Sequence, residues 1–402
     1  NDVFFKIDAK QIYLDHNATT PPAPMIMEQL VQWGRSWGNP SSIHWAGRAP
    51  KAALRESRAL VAGLIGANAP EIIFTAGGSE SNNLALKGLF EAMVTQKDHV
   101  LNGRTRWITS RVEHPSVTKV FAGLEKKGVE VCYIEVDRNG NVDWQKYLEL
   151  LDEKTALVSM MLANNETGSI YPIKKMAREA HRVGALFHTD AVQALGKMLF
   201  SVSHLDVDLA SFSGHKFYAL KGAGFLYCKK GVAIERQVDG GGQERHRRSG
   251  TENMLAIRSL GLVAKWADSV QVMEERLQVL RDDMQARILS EIEGVTVNGI
   301  GRRLSNTMNI SIDGVDGESL LMNLDLHGFA VSTGAACSAG NPEPSPALLA
   351  MGLSYREAQA SLRVSLGWGT KPEHVERFIS TLKEVVARLR ALAVKRGALC
   401  EA

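Results

Sequence analysis

The feature that most constrains this chain is its alternation of short β-branched runs with longer amphipathic ones. EIIFT reads as a strand, and SESNNLALKGLFEAM as the helix after it. RWITS is a second strand, SVTKVFAGLEKKG is helical, and VEVCYIEV is another strand ahead of the turn DRNG. TALVSMML, ALFHTDA, VDLASFS and GAGFLYC read as further strands. Strand alternating with helix predicts an α/β fold built on a mostly parallel, doubly wound sheet flanked by helices. Most of these strands end in polar residues: Thr75, Glu113–His114, Asn164–Asn165, Asp190 and Ser213–His215. Ligands of open α/β sheets bind outside the carboxyl ends of the strands, so these ends offer polar groups to one place.

From about residue 254 the texture changes. SVQVMEERLQVLRDDMQARILSEI is a long charged amphipathic helix. VTVNG, TMNISI, SLLMNLDLHG and ASLRVSLG follow, and then a last helix, PEHVERFISTLKEVVARLRAL. This reads as a smaller α+β domain. A chain of 402 residues, 45% hydrophobic, exceeds the size at which one core usually divides. The expected division is a large domain over 16–262 and a small one over 1–15 and 263–402. Net charge is only +3 with 23% charged residues and no like-charge tail, so direct nucleic-acid binding is not expected. The four cysteines, Cys132, Cys228, Cys337 and Cys400, form no CxxC pair. That argues against a disulfide framework and for a reduced setting. The start NDVFFKIDAK lacks the pattern of a signal peptide, and no apolar stretch reaches the ~18 residues of a membrane span. The expectation is a soluble, cytoplasmic protein with no membrane partner.

Three stretches carry candidate chemistry. In FTAGGSESNN a strand runs into Gly77–Gly78, and Ser79 opens a helix. Free backbone N–H groups there make an anion site, or Ser79 is simply an N-cap. The spacing fits neither a P-loop nor a dinucleotide fingerprint. In HTDAVQALGK, Asp190 ends an apolar strand, with His188 and Gln193 near it. A carboxylate at a buried strand end needs a cationic partner, such as the protonated ring nitrogen of pyridoxal phosphate, unless it caps the next helix. His188 reads as a satisfied structural histidine rather than a ligand, and no metal is expected. In SFSGHKFYALKGAGFLY, Lys216 follows an apolar strand. It either snorkels to water or has its charge removed by a Schiff base with a cofactor aldehyde.

The ordered set YLDHNATTP, WGNPSS, GGSESNNLALKG, EHPSV, NNETG, HTDAVQALGK, SFSGHK, GGGQERHRRSGTEN and STGAACSAG resembles the NifS/IscS-type cysteine desulfurases. These are class-V aminotransferases of pyridoxal phosphate (PLP) fold type I, and the likeness runs from about residue 12 to about residue 370. The resemblance implies that Lys216 holds the cofactor and Asp190 pairs with its ring nitrogen. Gln193 and Asn165 would contact the ring oxygen, and the His114 ring would stack on the cofactor face and move protons. Gly78, Ser79, Ser213 and His215 would bind the phosphate, with Thr251 reaching the phosphate of the other subunit of a homodimer. Arg363, inside the apolar strand SLRVSL, suits a substrate carboxylate, assisted by Asn39 and Asn165. An internal salt bridge is the other reading of Arg363. Cys337 sits in a Gly/Ala/Ser loop, where a thiolate is accessible and reactive. The long-loop class of the family has its nucleophile at this position, so the implied reaction turns L-cysteine into L-alanine and leaves a persulfide on Cys337. Acceptor or scaffold proteins, as in iron–sulfur cluster assembly, would take the sulfur. The long loop argues against a selenocysteine lyase, a cysteine sulfinate desulfinase or another class-V aminotransferase. Cys400, in a polar tail, reads as a bystander.

Overall fold

The computed structural model describes residues 11–266, 269–333 and 343–400. After a short strand β1 (Ile12–Tyr13), the chain builds a seven-stranded sheet. Its strands are β2 (Ile72–Thr75), β3 (Arg106–Ser110), β4 (Glu130–Ile134), β5 (Thr155–Ser159), β6 (Leu186–Asp190), β7 (Leu209–Ser213) and β8 (Gly224–Cys228). Their order is β2-β8-β7-β6-β5-β3-β4. Strands β3 to β7 pair in parallel, while β8 runs antiparallel to both β2 and β7. The exception has a local cause. A parallel neighbour needs a crossover element, and between β7 and β8 the chain makes only the 3₁₀ turn Gly214–Lys216 and a short return. The same return places Lys216 at the carboxyl edge of the sheet.

The strands of this sheet are apolar on both faces because helices cover both. Ile72, Phe74, Ile108, Val158, Phe187 and Phe212 belong to one core, packed with Val61, Met176, Ile257 and Leu260 from three helices. Ile73, Trp107, Leu157, Leu209 and Leu226 face the other way, onto Leu86, Leu89, Val117 and Phe121. This two-sided burial is what continuous β-branched and aromatic runs encode.

A second sheet, antiparallel throughout, has the order β12-β13-β10-β9, formed by β9 (Val295–Val297), β10 (Thr307–Ile312), β12 (Ser332–Thr333) and β13 (Ser361–Ser365). β11 (Phe329–Ala330) pairs in parallel with β1. Met308, Ile310, Leu362 and Val364 pack with Leu277, Met284, Phe378 and Leu382 of the helices Val270–Glu291 and Pro372–Cys400, and Ile12 and Leu14 join that core. The polar segment that follows β1 thus threads between the second sheet and the carboxyl edge of the first. No helix among the described residues is long and apolar enough to cross a membrane.

Candidate active site

The carboxyl ends of β2, β3, β5, β6 and β7 lie along one edge of the large sheet, as its strand directions require. At the end of β6, Asp190 is buried. Its Oδ2 accepts from Asn82 Nδ2 at 2.7 Å and its Oδ1 from Val192 N at 2.9 Å. Asn82 lies on the helix Gly78–Thr95 and also donates to Ser116 Oγ. His188 is fully buried and has both ring nitrogens within reach of hydroxyls, Ser159 at 2.8 Å and Ser211 at 3.0 Å. Burial lowers its pKa to about 3, so it stays neutral and is a structural group.

Lys216 Nζ donates to the carbonyls of Asn17 (2.8 Å) and Ala18 (2.6 Å). Its pKa falls to about 8, mainly through burial and next through Arg363, against the opposing pull of Asp15 and Asp190. A lysine amine that gives up its proton near neutrality is what imine chemistry requires. His114 caps the helix Pro115–Glu125, with Nδ1 accepting from Ser116 N at 3.1 Å. It is exposed at the rim, yet the protein around its ring desolvates it and lowers its pKa, with Asp190 pulling up and Lys216 pushing down. Ser79 and His114 share the wall of one recess with Lys87 and Lys119.

The Gly77–Gly78 turn is defined by close packing. A β-carbon on Gly78 would fall 2.7 Å from Val192 Cγ2 and 3.3 Å from Ser213 Cβ. One on Gly224 would meet the Gly77 backbone at 2.7 Å. Only glycine lets the turn sit against β7 and β8, which sets the start of the helix Gly78–Thr95, with no side-chain cap, beside Ser213. His215 Nδ1 is 3.0 Å from Thr19 Oγ1, and burial, with Lys216 second, lowers its pKa to about 4. A neutral imidazole here can serve a phosphate as a hydrogen-bond donor.

On the second sheet, Arg363 is buried and Nη2 pairs with Asp15 Oδ1 at 2.8 Å, while Nη1 donates to Asn165 O at 3.2 Å. The internal salt bridge therefore exists, but it does not use up the guanidinium: Nε is buried with no partner among the described residues. That free donor suits a carboxylate ligand. Among the described residues, no hydrogen bond or ion pair links Asn39 or Thr251 to this cluster. Asn39 is exposed and its Oδ1 accepts from Ser41 N, and Thr251 is exposed on the loop before the helix Met254–Ala264. Gln193 is buried with its amide engaged, donating to Asn17 O at 2.9 Å and accepting from Lys197 Nζ. Cys337 lies outside the described residues.

The structure adds a hub that sequence reading passed over. Asn17 is 1% exposed. Its carbonyl accepts from Lys216 and Gln193, its Oδ1 from Lys197 (2.8 Å) and Asn306, and its Nδ2 donates to Asn165 O and Thr307 Oγ1. Burial drives the Lys197 pKa well below the ordinary lysine value. The signal available in the sequence was the polar run DHNATT directly after an apolar strand, together with a lysine ending the apolar turn of ALGK.

A buried carboxylate, a depressed lysine amine and a helix start with free N–H groups fit the ring nitrogen, aldehyde and phosphate of PLP. The comparisons agree. The class-V aminotransferase family profile matches residues 12–378. Cysteine desulfurase IscS of Dictyoglomus turgidum is 41% identical, with 96% of each chain covered. Among solved structures, a NifS-like protein superposes with a TM-score of 0.86 at 34% identity, covering 94% of this chain and 99% of its own. SspA, solved in complex with cysteine, superposes with a TM-score of 0.76 at 31% identity, covering 88% and 98%. With an edge built for this cofactor and relatives aligned over nearly its whole length, the chain belongs to the class-V aminotransferases, in the branch of the NifS- and IscS-type cysteine desulfurases.

Proposed function

We propose that this protein is a PLP-dependent cysteine desulfurase that converts L-cysteine to L-alanine and passes the sulfur on from a persulfide at Cys337. The observation that carries the reading is one lysine amine, Lys216, with a pKa near 8 and within electrostatic reach of both Asp190 and Arg363. Cofactor ring, cofactor aldehyde and substrate carboxylate would thus be served by one site. The names of the relatives favour cysteine over a selenocysteine or sulfinate substrate.

When bound, PLP supplies an electron sink for an amino acid stripped of its α-proton. Asp190 would hold the ring nitrogen, and Ser213, His215 and the N–H groups of Gly78 and Ser79 would hold the phosphate. Asn165 and Gln193 would serve the ring oxygen. Arg363 orients the substrate carboxylate through its free Nε edge, assisted by Asn39. Lys216 Nζ would take the substrate's α-proton, and His114 would carry protons at the rim of the site. The Cys337 thiolate then attacks the substrate sulfur. An S–S bond forms and the C–S bond breaks, its electron pair stays with the three-carbon fragment, and protonation releases alanine.

Further parts of this reading are a homodimer, a cytoplasmic setting and acceptor proteins such as scaffolds of iron–sulfur assembly. Exposed Trp37, Ile43 and Trp45 around Asn39 support the homodimer, because apolar surface of that kind marks interfaces. Thr251 would then reach the partner's phosphate site. The test is alanine production from L-cysteine by the purified holoenzyme. Cys337→Ala is expected to keep the visible cofactor band while losing sulfur transfer. Wild-type sulfide release by that variant would contradict the assignment.

A further inference from the structure

The loop GGGQERHRRSG, residues 240–250, holds three successive non-glycine residues in the left-handed region: Glu244 (φ 47°, ψ 33°), Arg245 (φ 58°, ψ 46°) and His246 (φ 65°). Crowding of Cβ against the backbone makes this conformation unfavourable for L-residues, which adopt it singly when they do. A run of three persists only where its surroundings over-determine it.

The surroundings are specific. The Glu244 side chain is 2% exposed, and its carboxylate takes both arms of Arg58, Nη2 at 2.6 Å and Nη1 at 2.7 Å. Oε2 also accepts from Phe74 N at 2.9 Å. Arg58 Nη1 donates in turn to Ile72 O at 2.8 Å, and its guanidinium lies 4.6 Å from the centre of the Phe74 ring. The pair therefore grips β2, the strand that runs directly into Gly77–Gly78. Beyond the turn, Arg248 Nε meets Glu80 Oε1 at 2.8 Å, in the first turn of the helix Gly78–Thr95, and Glu80 Oε2 accepts from Ala76 N at 2.9 Å. Gly250 N donates to Gln243 Oε1, which closes the loop just before Thr251. One loop is thus tied to both sides of the anion-binding turn.

Stability alone does not account for this arrangement. A buried ion pair gains little over an apolar replacement of similar volume, and a left-handed run costs conformational energy. Both make sense as devices that fix a position. We propose that Arg58 and Glu244 are positioning residues: together they hold the strained turn that aligns the Gly78–Ser79 helix start and sets Thr251 for the phosphate of the partner subunit. Neither touches the cofactor; they act through the backbone of β2 and through the loop. The proposal rests on the reading of this edge as the PLP phosphate site.

The test titrates PLP into apo-protein and follows the visible cofactor band, with far-UV circular dichroism and the apo melting temperature measured in parallel. The proteins are wild type, Glu244→Gln, Arg58→Lys, and Glu244→Gln combined with Arg245→Gly and His246→Gly. Glu244→Gln is expected to raise the PLP Kd at least tenfold at a temperature where the apo-protein is folded. The added glycines are expected to bring Kd back to within about threefold of wild type, because glycine adopts positive φ without crowding. A lowered melting temperature with unchanged Kd overturns the proposal, and so does weakened binding that the glycines do not recover. If Glu244→Gln fails to fold, Arg58→Lys, which keeps the charge but loses the two-armed grip, is read by the same Kd criterion. Wild-type protein that forms no PLP band overturns the cofactor reading itself, whereas wild-type binding with unaffected clamp variants overturns only the clamp.

Discussion

Lys216 ties the local electrostatics to the chemistry. Its amine must be neutral to add to an aldehyde, and burial brings its pKa down to about 8 from an ordinary value of 10.5. The rate of PLP capture by apo-protein should therefore rise about tenfold per pH unit below about 8 and level off above it. A stopped-flow series checks this, and a rise that continues to about pH 10 would mean an ordinary lysine. Glu113 titrates in the opposite sense. Burial raises its pKa to about 8, with Met161 N donating to Oε1 at 2.6 Å and Oε2 without a partner among the described residues. Between the unfolded value near 4.5 and about 8, the folded chain keeps a proton that the unfolded chain has lost, so stability from this group falls as pH rises through that window. Glu113→Gln cannot titrate, and its melting temperature should gain on wild type from about pH 5 to about pH 8; a constant difference would contradict this. At this scale, Lys216, Asp190 and His114 stood out in the sequence as candidates because each follows a strand within a short motif, and the structure places Asp190 and Lys216 at the carboxyl edge of the large sheet. Asn17, Asp15 and Lys197 did not, because their partners, such as Asn17 with Lys197 and Asp15 with Arg363, lie far away along the chain.

Elements explain why the site has one shape. β8 returns antiparallel against β7, and a residue with a β-carbon at position 224 would press on Phe212 O at 2.5 Å and on Gly77 at 2.7 Å. Gly224→Ala is expected to cost about 1–3 kcal/mol, as overpacked sites do. Urea unfolding of the apo-protein measures it, and a change within error would mean the turn has slack. All the strands of the large sheet were legible as apolar runs, RWITS being β3 itself, and in the second sheet TMNISI is β10. The direction of β8 was not legible, because GAGFLYC looks alike running either way and only the length of its connection decides. Nor was the left-handed run at Glu244–His246, since ERH carries no glycine or asparagine to announce it. The conformation is imposed from outside, by Arg58 and Phe74.

At the scale of the whole molecule, the site is assembled from distant parts of the chain: the segment after β1, the edge of the large sheet and β13. The division into 16–262 and 1–15 with 263–402 stands as a proposal, as does the homodimer. Trp37→Ser with Trp45→Ser should shift sedimentation toward the monomer, and unchanged dimer under dilution would remove these side chains from the interface. The fate of the sulfur is read in a single turnover of the holoenzyme with L-cysteine, with the persulfide mapped by mass spectrometry and alanine counted. Persulfide on the Cys337 peptide and alanine in equal amount are expected. A cofactor band with no persulfide on Cys337 would contradict the proposed function and move the chemistry to another class-V reaction.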